Sequence, residues 1–591
     1  MRQLNIIFLL FFSALLKQSF AQIPVIEIRI NNTVRAKDDY VGSSYIPCGI
    51  RVINGSNFSS DIPVQLRNIR GNSGGQVLFS TSNSSKVTPE ESLNLNVRRD
   101  NSFTTFYIKA KPGFDSKIDK DAVIEALHND PNKNPTILAR KAFMVIPANP
   151  LPLTAPQVEI EINTESTLDD YVTWAPTLCK IRLSNYSKFN SPQTFTLRNM
   201  PGAVGKVNFA AGSTPPQGSA GDSTLTLTLP NSGSWVNFYI SGRFGNPSSR
   251  DKDAVIEAVY GSAQEVINRE ALMVRVRKNA NRLTIQERDC FLDALVTLNS
   301  TFNLYQTFVD IHNIAGRPEA HDGPAFLPWH RVFLLDLERK LQSIDPAVTL
   351  PYWKFDEPAV NLFSPDFIGS KPTESGDLYA ILNSKNPLSG WITSGVPGIR
   401  RRTRYEDNTF PSRSDTRNEL ATLALGTDYR YFRRMETNPH GQIHTESGQS
   451  GDWIVNLSTA VRDPLFFLLH ANVDRQWAKW QWINERFEPT DLKAYSLQGS
   501  FDPSVGAHIG HFVKDTMWPW NGITGTYDGS GTIPLDQRPT TAPGGEVAEA
   551  LSFEGAPVGK PEPYHVINYK NNVVAVSTNS GLGFCYDDIP F

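Results

Sequence analysis

A chain of 591 residues, 40% hydrophobic and 20% charged, is too long for a single core and implies two to four domains. Its formal charge of −3, with no long Lys/Arg block and no interleaving of basic and aromatic residues, argues against nucleic acid as a partner. Four cysteines, Cys48, Cys179, Cys290 and Cys585, are too few for a disulfide-built scaffold.

The chain opens on MRQLNIIFLLFFSALLKQSFAQ. Basic Arg2, an apolar run from Ile6 to Leu16 and the small-residue end Ser19-Phe20-Ala21 predict a signal peptide over residues 1–21, cleaved after about Ala21. The run is too short to span a bilayer, and no later segment is apolar enough for a membrane helix. The expected location is therefore secreted or periplasmic.

An internal repeat organises the next part. DKDAVIEA occurs at Asp119–Ala126 and Asp251–Ala258, and FYI at Phe106–Ile108 and Phe238–Ile240, both pairs 132 residues apart. DDYV at Asp38 and Asp169, LRN at Leu66 and Leu197, and Cys48 with Cys179 are 131 apart. One duplicated module with a one-residue insertion explains both offsets. Within each copy, alternating stretches such as VIEIRI, STLTLTL and WVNFYI separated by Gly, Pro, Asn and Ser predict strands. The expected architecture is two all-β, Ig-like sandwich repeats at 22–149 and 155–278, joined by the Pro-rich IPANPLPLTAP. With one cysteine per copy, each is expected to be a buried free thiol. Shielding an active site and binding a surface are both open roles for the repeats.

After Lys278 the pattern becomes helical and defines a third region, 279–591. Thr284 and Glu287 form a capping box, followed by Phe291, Leu295 and Leu298 at helical spacing. Tyr305, Phe308 and Val309 share a helix face with His312. In HDGPAFLPWHR, Pro328 suits the first position of a helix that aligns His330 with Leu334, Leu337 and Leu341. His321, nine residues before His330, is half a turn out of phase and must arrive from a loop. Downstream, NPHGQIH puts His440 and His444 one turn apart after an Asn438 cap. DPLFFLLHANVDRQW puts His470 in line with Phe466, Phe467, Val473 and Trp477 after an Asp463 cap. A single core histidine is usually structural; six of the chain's ten on inward faces, in two triplets, form a ligand pattern. All-imidazole sets suit copper or zinc, and HGQIH lacks the glutamate of a zinc hydrolase's HExxH.

FLPWHRVFLLDLERKL, NPHGQIH and DPLFFLLHANVDRQWAKWQ together resemble the tyrosinase, catechol oxidase and hemocyanin superfamily of type-3 dicopper proteins, over roughly Ala280 to Phe591. The resemblance implies a mainly α-helical domain with a four-helix dicopper core. In it His312, His321 and His330 hold copper A, His440, His444 and His470 hold copper B, and O2 is the co-substrate. It also implies a small phenolic substrate and oxidation of o-diphenols, with monophenols open, to o-quinones. An o-aminophenol oxidase and a hemocyanin-like O2-binding protein would carry the same ligands. Glu436 falls where the family orders a water near copper B, Gly441 where efficient monophenolases often have Asn, and Leu457 where catechol oxidases often have a gating Phe. No cysteine lies between His312 and His321, so the thioether of many plant and fungal members cannot form, and Leu469 replaces a histidine that is not a ligand. The closing LGFCYDDIPF resembles the end of the catalytic domain in plant-type polyphenol oxidases, implying that no C-terminal lid follows. It also implies that this end meets the first helix, which brings Cys290 and Cys585 within bridging distance and leaves a bridge and two buried thiols both open. His128, His508, His511 and His565 have no place in this scheme.

Overall fold

A computed structural model describes residues 24–591 except 25, 31–39, 53–57, 70–74, 85–86, 101, 117–121, 129–135, 146–155, 164–169, 215, 217, 220, 316–319, 374–375, 404–417, 503, 505–509, 522–559 and 571–581. The expected signal peptide, most of the Pro-rich linker and His508 lie outside these residues. The chain divides into two compact units, Met1–Pro150 and Leu151–Phe591. Among the described residues no helix is long and apolar enough to cross a membrane.

Among its described residues the first unit holds nine strands: β1 Ile26–Arg29, β2 Tyr40–Val41, β3 Ile46–Val52, β4 Ile62–Asn68, β5 Val77–Ser80, β6 Ser92–Val97, β7 Thr104–Ala110, β8 Ala122–His128 and β9 Thr136–Val145. They form a four-stranded sheet, β1-β3-β7-β5, and a five-stranded sheet, β2-β9-β8-β4-β6. The described residues of the second unit begin with nine more: β10 Val158–Ile162, β11 Tyr171–Val172, β12 Thr177–Leu183, β13 Gln193–Asn199, β14 Val207–Ala211, β15 Thr224–Leu229, β16 Val236–Gly242, β17 Ala254–Tyr260 and β18 Glu265–Val274. Their orders, β10-β12-β16-β14 and β11-β18-β17-β13-β15, repeat the first set strand for strand. In each copy the inward residues of both sheets meet in one apolar cluster. Strand β15 shows why: Leu225, Leu227 and Leu229 point in while the alternating threonines point out.

The repeated motifs have matching jobs. In LRN, Leu66 and Leu197 are core residues. Arg67 and Arg198 pair with the buried Glu125 and Glu257 of DKDAVIEA, joined from the other side by Arg140 and Arg269. Asn68 and Asn199 each exchange two hydrogen bonds with the backbone of the strand that follows, at Val77 and Val207. Two buried carboxylates thus keep their charge compensated, as burial demands.

The helical part of the second unit contains α1 Ile285–Ser300, α2 Tyr305–Ala315, α3 Phe326–Ile344, α4 Tyr429–Phe432, α5 Gln442–Glu446 and α6 Leu465–Asn484. The Thr284/Glu287 capping box forms. Asp463 caps α6, its Oδ1 accepting from the Leu465 amide at 3.0 Å. Helix α3 begins two residues earlier than the sequence predicts, with Pro328 in its first turn. First-turn amides have no intrahelical acceptor, so the missing N–H of proline costs nothing there.

Residues at the exit of the second module enter the helical core. Arg277, fully buried, donates to Glu338 Oε2 at 2.6 Å, to Asp474 Oδ2 at 3.2 Å and to the Tyr586 hydroxyl at 2.9 Å. Burial alone would lower its pKa, but Glu338, Tyr586 and Asp474 raise it above the usual arginine value. Asp474 also takes Arg331 Nε at 2.6 Å. The ion network therefore touches both α3 and α6. Trp174, from the second module, donates to the Tyr586 carbonyl at 2.8 Å.

None of the four cysteines is in a disulfide, and Cys48 and Cys179 are buried as expected. No disulfide joins Cys290 to Cys585, which pack into different apolar clusters. The chain end runs beside Arg277, which pairs with Tyr586. Alternation then places Phe584 and Tyr586 under the Arg277 guanidinium and turns Cys585 into the apolar core of the second module. Cys290 stays on α1, against the helical core.

Candidate metal centre

Helix α2 carries His312 on the face it buries with Tyr305, Phe308 and Val309. His321 comes from the loop before α3, and His330 from α3 one turn after Phe326. The three ligand nitrogens lie within 4.8 Å of one another, as do those of His440, His444 and His470. His440 stands in the irregular segment Thr437–Gly441, His444 in α5 and His470 in α6. The two triads adjoin: the rings of His330 and His470 stack at 4.2 Å, and His321 lies 6.1 Å from His440.

Backbone carbonyls set the tautomers. His330 Nδ1 lies 2.8 Å from the Phe326 carbonyl, His440 Nδ1 2.7 Å from that of Glu436, and His444 Nδ1 2.7 Å from that of Ile454. The His312 ring is hydrogen-bonded to the Leu457 backbone. A carbonyl can only accept, so the proton sits on Nδ1 and Nε2 keeps a lone pair. Burial, with the neighbouring imidazoles, lowers the pKa of His312 to about 3; burial lowers that of His444 to about 4 and pushes His330, His440 and His470 well below the usual value. These imidazoles are neutral near pH 7, the form that binds a metal.

The geometry fits a cation. His470 Nε2 faces the lone pairs of His440 Nε2 at 3.3 Å and His444 Nε2 at 3.2 Å, and it can donate to only one of them. Tetrahedral ligands held about 2.0–2.1 Å from a metal lie about 3.3–3.4 Å apart. His312 Nε2 and His330 Nε2 are buried with no hydrogen-bond partner among the described residues. Phe466 stacks on His470 at 4.1 Å and Phe326 packs on His440 at 4.8 Å, so the surroundings are apolar.

Of the other predicted site residues, Glu436 is half-buried beside His440, and its Oε1 accepts from the Asp322 amide at 2.6 Å. Gly441 has helical φ and ψ, and a β-carbon there would meet nothing closer than the Glu436 carbonyl at 3.4 Å. Leu457 is half-buried, with its backbone on the His312 ring. Sequence reasoning set His511 aside, yet it is buried against Gly323, two residues after His321. No local pattern announces it, because its partner lies 188 positions away in the chain.

Residues 303–483, a span that includes all six histidines, match the common central domain of tyrosinase. The tyrosinase of Streptomyces antibioticus is 32% identical over 275 residues, covering 42% of this chain and 94% of that protein. The chain belongs to the tyrosinase family. Family members use two copper ions and O2, and this chain is a copper oxidase of that family. Grixazone synthase of Streptomyces griseus is 30% identical over 265 residues, 35% of this chain and 85% of that protein. A hemocyanin of Enteroctopus dofleini is 27% identical over 226 residues, 35% of this chain and 8% of that much longer protein.

Proposed function

We propose that the protein is an exported oxidase that uses O2 to convert o-diphenols, in preference to monophenols, to o-quinones. In this reading His312, His321 and His330 hold copper A, and His440, His444 and His470 hold copper B. The observation that carries it is the pair of adjoining, carboxylate-free imidazole triads, five of their six rings buried, whose ring nitrogens converge. A bound copper pair supplies two-electron redox exchange with O2. The chain's own residues do the rest: backbone carbonyls fix the tautomer and aim of four ligands, and Phe326 and Phe466 exclude water. Glu436 accepts the proton of an incoming phenol, directly or through a water. Gly441 brings no side-chain amide to help hold that water, which favours diphenols, while Leu457 leaves the entrance less obstructed than a phenylalanine would. The strand modules are read as Ig-like sandwiches, and export as directed by the segment ending near Ala21.

The test is oxygen consumption by the copper-loaded protein on catechols, monophenols and o-aminophenols. Steady turnover of 4-methylcatechol above that of the matching monophenol supports the reading. Reversible O2 binding without turnover would make the protein an O2 carrier, and faster turnover of o-aminophenols would move the substrate class.

A further inference from the structure

His330 and His312 stand on helices, whereas His321 stands on a loop, and loops need outside support to hold a ligand still. Each of the three residues after His321 is gripped. Asp322 takes a left-handed backbone, φ 60°, and its amide donates to Glu436 Oε1 at 2.6 Å. Gly323 is packed so closely under the His511 imidazole that a β-carbon there would overlap the ring. The Pro324 carbonyl accepts from the Tyr429 hydroxyl at 2.5 Å.

The gripping groups are themselves fixed. Tyr429, Tyr495 and His511 are buried, the Tyr495 hydroxyl donates to the His511 carbonyl at 2.6 Å, and the two tyrosine rings lie 5.0 Å apart. Glu436 faces both triads: its backbone carbonyl takes His440 Nδ1–H at 2.7 Å while its carboxylate holds the loop of His321.

We propose that Glu436, His511 and Tyr429 form a non-covalent clamp on residues 322–324 that positions His321. Glu436 is then a strut between the two triads as well as a group facing substrate. The inference rests on the dicopper reading. What Glu436 gives the loop is a hydrogen-bond acceptor, and an amide oxygen can replace it. A role confined to charge or proton transfer has no such substitute.

The experiment measures copper bound per full-length chain during competition with a chelator, alongside circular dichroism. Wild type should hold two coppers. Outer supports of metal ligands are typically worth about 10–100-fold in metal affinity. Glu436→Ala should therefore weaken one copper about tenfold or more, while Glu436→Gln should stay within about threefold of wild type. Tyr429→Phe, which loses only a hydroxyl, should weaken the same copper. Gly323→Ala should do so as well, and His511→Ala added to it should restore part of the loss by making room for the methyl group. Glu436→Gln as damaging as Glu436→Ala, or Glu436→Ala with both coppers held as in wild type, overturns the clamp. A wild-type protein that fails to hold two coppers overturns the dicopper reading and the clamp with it.

Discussion

Arg277→Ala takes away a fully buried guanidinium that Glu338, Asp474 and Tyr586 all face. Glu338 and Asp474 are themselves almost completely buried. Asp474 keeps Arg331 as a partner, whereas Glu338 is left with the Leu350 amide at 2.9 Å. Removing one member of a buried pair typically costs about 3–5 kcal/mol, because the partner's charge stays desolvated. The lost stacking on Phe584, 3.9 Å from the guanidinium, adds to this. The expected loss is therefore about 3–5 kcal/mol in urea unfolding of the full-length protein, followed by tryptophan fluorescence. Trp329, Trp477 and Trp480 all lie in this core. Glu338→Gln in the same background should recover part of the loss, giving a coupling of about 1–3 kcal/mol in a double-mutant cycle. A loss under about 1 kcal/mol, or strict additivity, would refute the assignment of Arg277 as the ion holding the module exit to α3 and α6. If the assignment is right, a chain begun at Asn279 will be insoluble, since it lacks both Arg277 and Trp174.

Three further outcomes are expected. Burial, and Asp251 nearby, raise the Asp345 pKa to about 6, while the Ala347 amide and Cys290 oppose the shift. The folded state then binds the extra proton, so this contribution is full below about pH 3.8 and is lost as pH rises through 6. Asp345→Asn keeps an oxygen for the Ala347 amide and should stabilise the protein at pH 7.5 but not at pH 4. About 3 kcal/mol is the upper limit because the side chain keeps some access to water; equal effects at both pH values would contradict the shift. Gly441→Asn, for which there is room, should raise the monophenol rate relative to the diphenol rate, measured by oxygen uptake on tyrosol and hydroxytyrosol; an unchanged ratio speaks against proton transfer to Glu436 through a held water. Thiol titration should find four free cysteines after denaturation and a reaction confined to Cys290 in the native protein. A loss of two thiols would mean a bridge.

Much of this was legible in the sequence because it is local or periodic. The histidines announce themselves through helical spacing against Leu334, Leu337 and Phe466, and the duplicated module through identical eight-residue strings. What escaped is choice of distant partner. Nothing in RVRKN says that Arg277 will face Asp474, nor does any spacing seat His511 on Gly323. Between a Cys290–Cys585 bridge and two unbridged thiols the sequence could not choose, for the same reason. That the two ends of a domain meet does not fix which way a side chain points, and strand alternation at Phe584-Cys585-Tyr586 turned the thiol away. The helix start at Phe326 was missed because proline is as acceptable at the third helical position as at the first.

Whether the two imidazole triads hold two copper ions is decided by metal analysis of the protein expressed with ample copper. Two coppers per chain in wild type, with oxidase activity abolished and copper falling toward one per chain in His470→Ala and in His330→Ala, is the predicted result. A single zinc with no copper, or two coppers retained in both variants, would contradict it.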